Sequence, residues 1–511
     1  MDKSASRDEQ PTKADLAAGE IIESPAVDPA LLLTGGTVVE FTPEEERQLL
    51  RKIDRHMLPL LCWVYLIQFA DKTTLNYASL MGLQTDTGLH GNQYNWVSSI
   101  FYAGYLAWEF PTTYFLRRLP VGKYTAANIL CWGVALAGHA AASNYGGLLA
   151  CRFLLGAFEA TVTPAFVLIT GMWYRQNEQG RRMGYWLSCN GGALILMSVI
   201  GYGLSAIDHA ALAPWRILFL LLGLLTILTG IAYLWYLPDS QATARFLTDR
   251  ERLVALERIR DNFQGVGSPI WKWAQFREAF HDPRTYLYIL YSLLMNIPNG
   301  GITTFGSLLI KSFGFGDRLA LLLSAPSGLF DIAGKLLFTW LSDHWLDRTA
   351  VSFAAIMVAC LGGILMVVLP DTAKPALLIG YYLVSVAGAS WGLLMTAISN
   401  NTLGYTKKVT VSGLQIIAYA AGNWIGPQTF PATEAPEYRR GKLLVAIMYG
   451  LAGAVLLLLR FVNGRENRRR DRLQVEAGID LANDEVARHA LERSKFMDLT
   501  DFQQLHFRYV L

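Results

Sequence analysis

At 511 residues, 52% hydrophobic and only 17% charged, the chain is more apolar than an ordinary soluble domain of its size and reads as an integral membrane protein. Its formal net charge of +3 is too small to suggest a nucleic-acid partner. The five cysteines, Cys62, Cys131, Cys151, Cys189 and Cys360, all fall in apolar segments with no CxxC pair, which argues against a disulfide framework or a zinc site.

Residues 1–56 are polar and begin without the basic-then-apolar pattern of a cleaved signal peptide. Six apolar runs follow, near residues 57–77, 94–115, 124–142, 148–172, 183–206 and 217–237. Each is about 20 residues long, enough to cross a hydrocarbon core of about 30 Å. A charged segment at 238–284 precedes six more runs, near 286–310, 319–342, 351–369, 375–398, 411–430 and 443–462. The predicted fold is an all-α membrane protein of 12 transmembrane helices in two six-helix halves, 57–237 and 285–462. This is the architecture of transporters built from repeats, with a substrate cavity between the halves. Lys and Arg concentrate in loops on the side of the N-terminus, so the tails (1–56 and 463–511) and the linker are expected in the cytoplasm. The basic cluster Arg465, Arg468, Arg469, Arg470 and Arg472 suits either anionic headgroups or a stop-transfer flank.

Against this apolar background, ionisable residues inside the spans stand out. A charge in hydrocarbon costs at least about 2.5–3.5 kcal/mol, so it persists only beside a polar cavity or a partner. Asp71 and Lys72 lie in the first span, pointing about 100° apart, and Lys72 shares its face with Asn76. Arg152 and Glu159 lie in the fourth, two turns and about 10.5 Å apart on one face, with Gly156 between them. Arg152 offers a planar fork for a carboxylate, whereas a glutamate beside an apolar cavity can take up and release a proton. The competing reading pairs Arg152 permanently with Glu159 or Asp71 to hold helices together. Lys72 reads either as a contact for an anionic substrate or as a side chain snorkelling to the interface. Glu109, two residues before Pro111, and His139 could each titrate, although a lone His on an apolar helix more often serves packing. Asp331 and Lys335 stand four apart in the eighth span and are expected to neutralise each other. The run from Asn296 to Gly301, with Pro298 at its centre, is expected to break the seventh span and to mark a binding or gating element. Pro164, Pro326 and Pro427 predict weaker breaks. No GxxxxGK[ST], HExxH or GxSxG string occurs, so neither a nucleotide-driven pump nor a familiar hydrolase is offered, and no cofactor is called for.

Several strings together resemble one family: 69–78 (FADKTTLNYA), Gly104-Tyr105-Leu106 with Glu109 and Pro111, 152–160 (RFLLGAFEA), Leu237-Pro238-Asp239-Ser240, 404–408 (GYTKK) and 422–428 (GNWIGPQ). From Phe69 onward the chain is similar to major facilitator superfamily transporters of the anion:cation symporter group, and within it to the fungal allantoate permease family. The resemblance implies proton-coupled uptake of a small organic anion such as allantoate, ureidosuccinate or a vitamin-like carboxylate. It further implies proton coupling by Asp71 and Glu159, substrate binding by Arg152 with Lys72 and Asn423, and a plasma-membrane location. Asn76 and Asn296 join the candidate binding residues. Glu109, Pro298, Asp331, Lys335, Asp343 and Arg348 are candidate structural or gating residues. The loop 117–123 (RRLPVGK) lacks the superfamily's usual aspartate, whereas 342–348 keeps Asp343 and Arg348. The expected partners are the anionic substrate, protons and the bilayer, with the chain acting as a monomer. Export of an acidic metabolite and a non-transporting nutrient receptor are the alternatives.

Overall fold

A computed structural model describes residues 40–207, 211–264, 271–345, 347–476, 498–504 and 506–511; the predicted tail up to residue 39 lies outside the described residues. The described residues form helices and connecting loops, with no strand among them. The first half contains α1 (Pro43–Ser79), α2 (Gln93–Arg118), α3 (Val121–Gly138), α4 (Tyr145–Glu159), α5 (Val162–Trp173), α6 (Gln176–Leu204) and α7 (Pro214–Tyr236). The linker carries α8 (Asp249–Gln264) and α9 (Trp273–His281). The second half contains α10 (Pro283–Ser312), α11 (Asp317–Leu322), α12 (Ala325–His344), α13 (Arg348–Val368), α14 (Lys374–Val384), α15 (Ala387–Asn401), α16 (Tyr405–Gln428) and α17 (Arg439–Glu476). Taking α4 with α5, α11 with α12 and α14 with α15 as single bent spans gives the 12-helix, two-half architecture. Among the described residues, seven spans are long and apolar enough to cross a membrane on length and composition alone. Those that fall short include α1, α2, α10 and α16, which carry polar side chains in mid-span.

Two of the four predicted proline breaks occur; α16, like α10, runs unbroken past its proline, Pro427, to Gln428. Proline cannot donate to the carbonyl four residues earlier and crowds it, so the disturbance appears one turn upstream. Pro164 accordingly parts α4 from α5 at Ala160, immediately after Glu159, and Pro326 ends α11 at Leu322. The predicted break in the seventh span does not occur: α10 runs unbroken through Pro298. Gly300 and Gly301 let α16 come close, and a Cβ at Gly300 would lie 2.6 Å from the Asn423 carbonyl oxygen. An amide ladder then ties the helices together. Asn299 donates to the Asn423 side chain at 3.0 Å, and Asn423 donates to Asn296 at 3.2 Å. Packing against α16 holds the helix where isolated propensity would have lost it.

The N-terminal region also departs from expectation, because α1 begins at Pro43, 14 residues before the predicted span. Thr42 and Glu45 form a reciprocal capping box at its start. This extension meets α8: Lys52 pairs with Glu251 at 2.7 Å, and the buried Arg258 reaches Glu46 at 2.9 Å and also Glu178. At the corresponding end of the second half, Lys407 bonds Asp501 at 2.7 Å and both Glu278 of α9 and Asp282 at 3.0 Å. The terminal segment 498–511 therefore docks onto the base of this half. Asp501 also accepts from the Tyr509 hydroxyl at 2.6 Å and faces Arg284 at 3.3 Å. Arg470 is buried and donates to carbonyl oxygens of Asp501, Gln504 and Phe507. That arginine is thus withdrawn from the headgroup role suggested for its basic cluster, while its neighbours Arg465, Arg468, Arg469 and Arg472 stay exposed.

Two outcomes test this docked end. Replacing Asp501 by Asn leaves Lys407 and Arg284 under-compensated in a buried site, and is expected to cost roughly 3–5 kcal/mol, read as a lower Tm of the purified protein. Asp498 is sensitive to pH. Burial opposes its ionisation, but the Lys272 ammonium at 2.8 Å, the Tyr405 N–H at 2.7 Å and the Gln275 amide outweigh burial and hold the carboxyl below its ordinary value. A lowered folded-state value stabilises at pH above the unfolded value of about 3.9, and that stabilisation is lost as pH falls through the folded value. Asp498→Asn should therefore lower Tm at neutral pH, with the gap from the parent closing only below about pH 4.

Candidate functional site

Four ionisable side chains from α1 and α4 are buried near the junction of the halves. Asp71 and Glu159 have no exposed surface, Arg152 is 2% exposed, and the Lys72 side chain is 13% exposed. The adjacent residues of α1 diverge as their helical angle requires. Asp71 turns into the first half, where its carboxylate accepts the Trp132 indole N–H of α3 at 2.5 Å. Lys72 turns toward the second half. Its ammonium lies 3.6 Å from Glu159 and donates to the Tyr419 hydroxyl of α16 at 3.3 Å. Three rings surround it, Phe101 at 5.5 Å and Tyr102 and Tyr419 at 6.0 Å, within reach of cation–π attraction.

This arrangement corrects two readings of the sequence. Glu159 pairs with Lys72 rather than with Arg152, because Pro164 ends α4 at Glu159 and Lys72 rises from α1 to meet it. Nor does Lys72 snorkel; its stem and head are enclosed by rings of both halves. Arg152 lies over the Phe219 ring at 5.8 Å, and its Nε and Nη2 are buried without a hydrogen-bond partner among the described residues. One oxygen of Asp71 and both of Glu159 likewise lack a partner at hydrogen-bond distance. Such groups are costly unless something polar reaches them during function. Lys72 and Arg152 line a small cavity of about 10 Å³, room for about one water, together with Ser98, Phe101, Thr303 and Thr304.

The glycines of α2 and α4 set the spacing of this site. A Cβ on Gly156 would collide with the Phe101 carbonyl, and one on Gly104 with the Phe153 carbonyl, so the two backbones touch there. That contact places Phe101 and Tyr102 against the Arg152–Glu159 face. Toward the end of α1, hydrogen bonds between the halves close the cavity. Asn76 accepts from the Ser307 N–H at 2.8 Å, Tyr94 donates to the Thr304 carbonyl at 2.9 Å, and Asn95 donates to the Pro427 and Phe430 carbonyls at 2.8 and 2.9 Å.

Of the predicted binding residues, Lys72 and Arg152 meet at the cavity, whereas Asn76, Asn296 and Asn423 are engaged in helix seams. Glu109 is buried on α2 with one oxygen unpartnered, away from the residues that line the cavity. His139 binds the Ala135 carbonyl at 2.9 Å and stacks on Phe219 at 4.8 Å, a packing role. Asp331 and Lys335 pair at 2.7 Å, and Lys335 also reaches the Leu187 carbonyl of α6 across the halves. Asp343 is exposed in the last turn of α12, and it is Asp347, in the loop that follows, that caps α13 and pairs with Arg460 at 2.7 Å; Arg348 opens that helix. Tyr419, Trp132, Phe101, Thr303 and Ser98 were not singled out from sequence. The available signals were faint: Tyr419 stands one turn before Asn423, and Phe101-Tyr102 one turn before Tyr105.

The Major Facilitator Superfamily profile matches residues 61–427. An uncharacterized transporter of Schizosaccharomyces pombe is 40% identical over 92% of this chain and 91% of its own length. The allantoate permease of Saccharomyces cerevisiae is 39% identical over 93% of this chain and 88% of its own. Among solved structures, a D-xylose-proton symporter aligns with a TM-score of 0.60 at 12% identity, covering 78% of this chain and 96% of that one.

Gly156→Ala tests the helix contact that builds the site. Forcing a methyl into a backbone-to-backbone crossing should cost about 1–3 kcal/mol, read as a lower Tm, and should displace Glu159 from Lys72.

Proposed function

The chain belongs to the major facilitator superfamily and, within it, to the allantoate permease family, and from that premise we propose that it is a proton-coupled symporter of a small organic anion. It is a multi-pass membrane transporter and not an enzyme. The observation that carries the proposal is the charge balance of the buried site. Asp71 and Glu159 offset Lys72 and Arg152, so the empty site is neutral with both carboxyls ionised. An anion entering alone leaves the site with a net negative charge, and a proton alone leaves a net positive one. Together they restore neutrality, so each ligand favours binding of the other by the same factor.

In this reading Arg152 receives the substrate carboxylate with its two open donors. Glu159 takes the proton, which loosens its hold on Lys72 and frees that ammonium for the anion or for Tyr419. Asp71, held by Trp132, is the second proton-responsive carboxyl. The allantoate permease among the relatives favours allantoate or another ureido or vitamin-like carboxylate as cargo. The halves rock about the site in alternating access, with both termini on the cytoplasmic side of the plasma membrane.

Uptake of labelled allantoate and related acids, in cells lacking their own permeases, tests this. Uptake should rise as the external medium is acidified. Arg152→Ala should abolish it, removing roughly 2–5 kcal/mol of substrate interaction. Glu159→Gln should retain substrate exchange while losing accumulation against a gradient. Uptake indifferent to pH in the parent and unaltered by Glu159→Gln would refute proton coupling.

A further inference from the structure

Outside the transport site, the linker helix α9 has an aromatic stripe that none of the other described residues covers. Trp273, Phe276 and Phe280 follow one another at helical spacing, and Trp271 joins them from two residues before the helix. Trp271 is 43% exposed, Trp273 65% and Phe280 39%. Their rings touch in series, with centroids 6.0 Å apart for Trp271 and Trp273, 5.4 Å for Trp273 and Phe276, and 5.1 Å for Phe276 and Phe280. The opposite stripe, Gln275 and Ala279, is buried against the second half. There Gln275 accepts from the Thr406 N–H at 3.0 Å and donates to Asp498. The helix is thus fixed by one face and presents the other.

We propose that this aromatic face lies in the headgroup and acyl boundary of the bilayer leaflet at which α10 begins. Only Asp282 separates α9 from α10, so the stripe sits where a membrane span emerges. The lipid-facing surface of that span continues it: Tyr286, 54% exposed on the first turn of α10, donates its hydroxyl to the Phe280 carbonyl at 2.8 Å. Beside the rings, Arg277 is exposed and cationic, placed for lipid phosphates. Trp and Phe on one face with a cation at its edge are the residues that favour an interface helix, since the rings bury apolar area while indole N–H groups stay hydrated. The bilayer would then press α9 onto the terminal segment that its other face holds.

The test places a nitroxide at position 273, by Trp273→Cys in a background without the five native cysteines, in phosphatidylcholine and phosphatidylserine nanodiscs. A Tm of the labelled variant in these nanodiscs equal to that of the cysteine-free parent shows that it is folded. Collisions with dissolved oxygen should exceed those with a water-soluble nickel chelate, as expected for a site immersed in lipid. Dominant nickel collisions would place the face in water, and exclusion of both would place it against protein; either result overturns the proposal. A measurement without the cysteine background compares the parent with Trp271→Phe/Trp273→Phe in lipids brominated on the acyl chains. The paired variant should lose part of the lipid-quenched tryptophan emission, and an unchanged quenched amplitude would overturn the assignment.

Discussion

Two cations and two anions buried in a membrane-spanning bundle impose the constraint on which the rest of this structure depends. Each would cost several kcal/mol if desolvated alone, and the protein offsets that cost with few ionic contacts. Lys72 and Glu159 are near-neighbours, but at 3.6 Å they do not share a close hydrogen bond. The remaining compensation comes from rings and dipoles: three aromatic faces around Lys72, Phe219 beneath Arg152, and the Trp132 indole N–H on Asp71. Ring quadrupoles stabilise a cation while leaving its N–H donors open, and the indole N–H occupies only one of the two Asp71 oxygens. That is the property a site needs if it must hold charge between visits of its ligand.

How much of this could be read from sequence depended on the range of the interaction. Span count and the buried charges were legible because they follow from local composition and from the cost of ions in hydrocarbon. The angular divergence of Asp71 and Lys72 was legible as well, since it is fixed by helix geometry. The partner of Glu159 was not, because it depends on how α1 and α4 approach, and that is set by a glycine contact with a third helix. Proline gave mixed information for a similar reason. Pro164 and Pro326 break their spans one turn upstream, whereas Pro298 does not, because Gly300 and the asparagine ladder bind α10 to α16. The same residue type yields opposite outcomes according to what packs beside it.

The linker looked in sequence like one polar connection, but its two helices belong to different halves. Arg258 fixes α8 to α1 and α6, and Glu278 with Gln275 fixes α9 to the base of α16 and to the terminal segment. Buried charged side chains with several partners resist rearrangement more than exposed pairs do. Each half therefore carries its own piece of linker as part of a rigid body. In a rocking cycle of the kind proposed, the change of geometry falls on the hydrogen bonds from Asn76, Tyr94 and Asn95 to the second half.

The two halves also share a feature that their sequences scarcely reveal. The fourth span of each is interrupted by two residues, Ala160-Thr161 after α4 and Ser385-Val386 after α14. Counting back from these breaks, Glu159 corresponds to Val384, and Arg152, seven residues earlier, corresponds to Leu377. The architecture is repeated, but the charge is not. The second half instead contributes Tyr419, Thr303 and Thr304, neutral groups that can meet a ligand without altering the electrostatic balance. With all four charges on one half, protonation of the kind proposed would act first within that half. It would reach the other through Lys72, whose ammonium is shared between a carboxylate of one half and a hydroxyl of the other. Weakening the first contact strengthens the relative claim of the second, which links the charge state of α4 to the closure of α16 over the cavity.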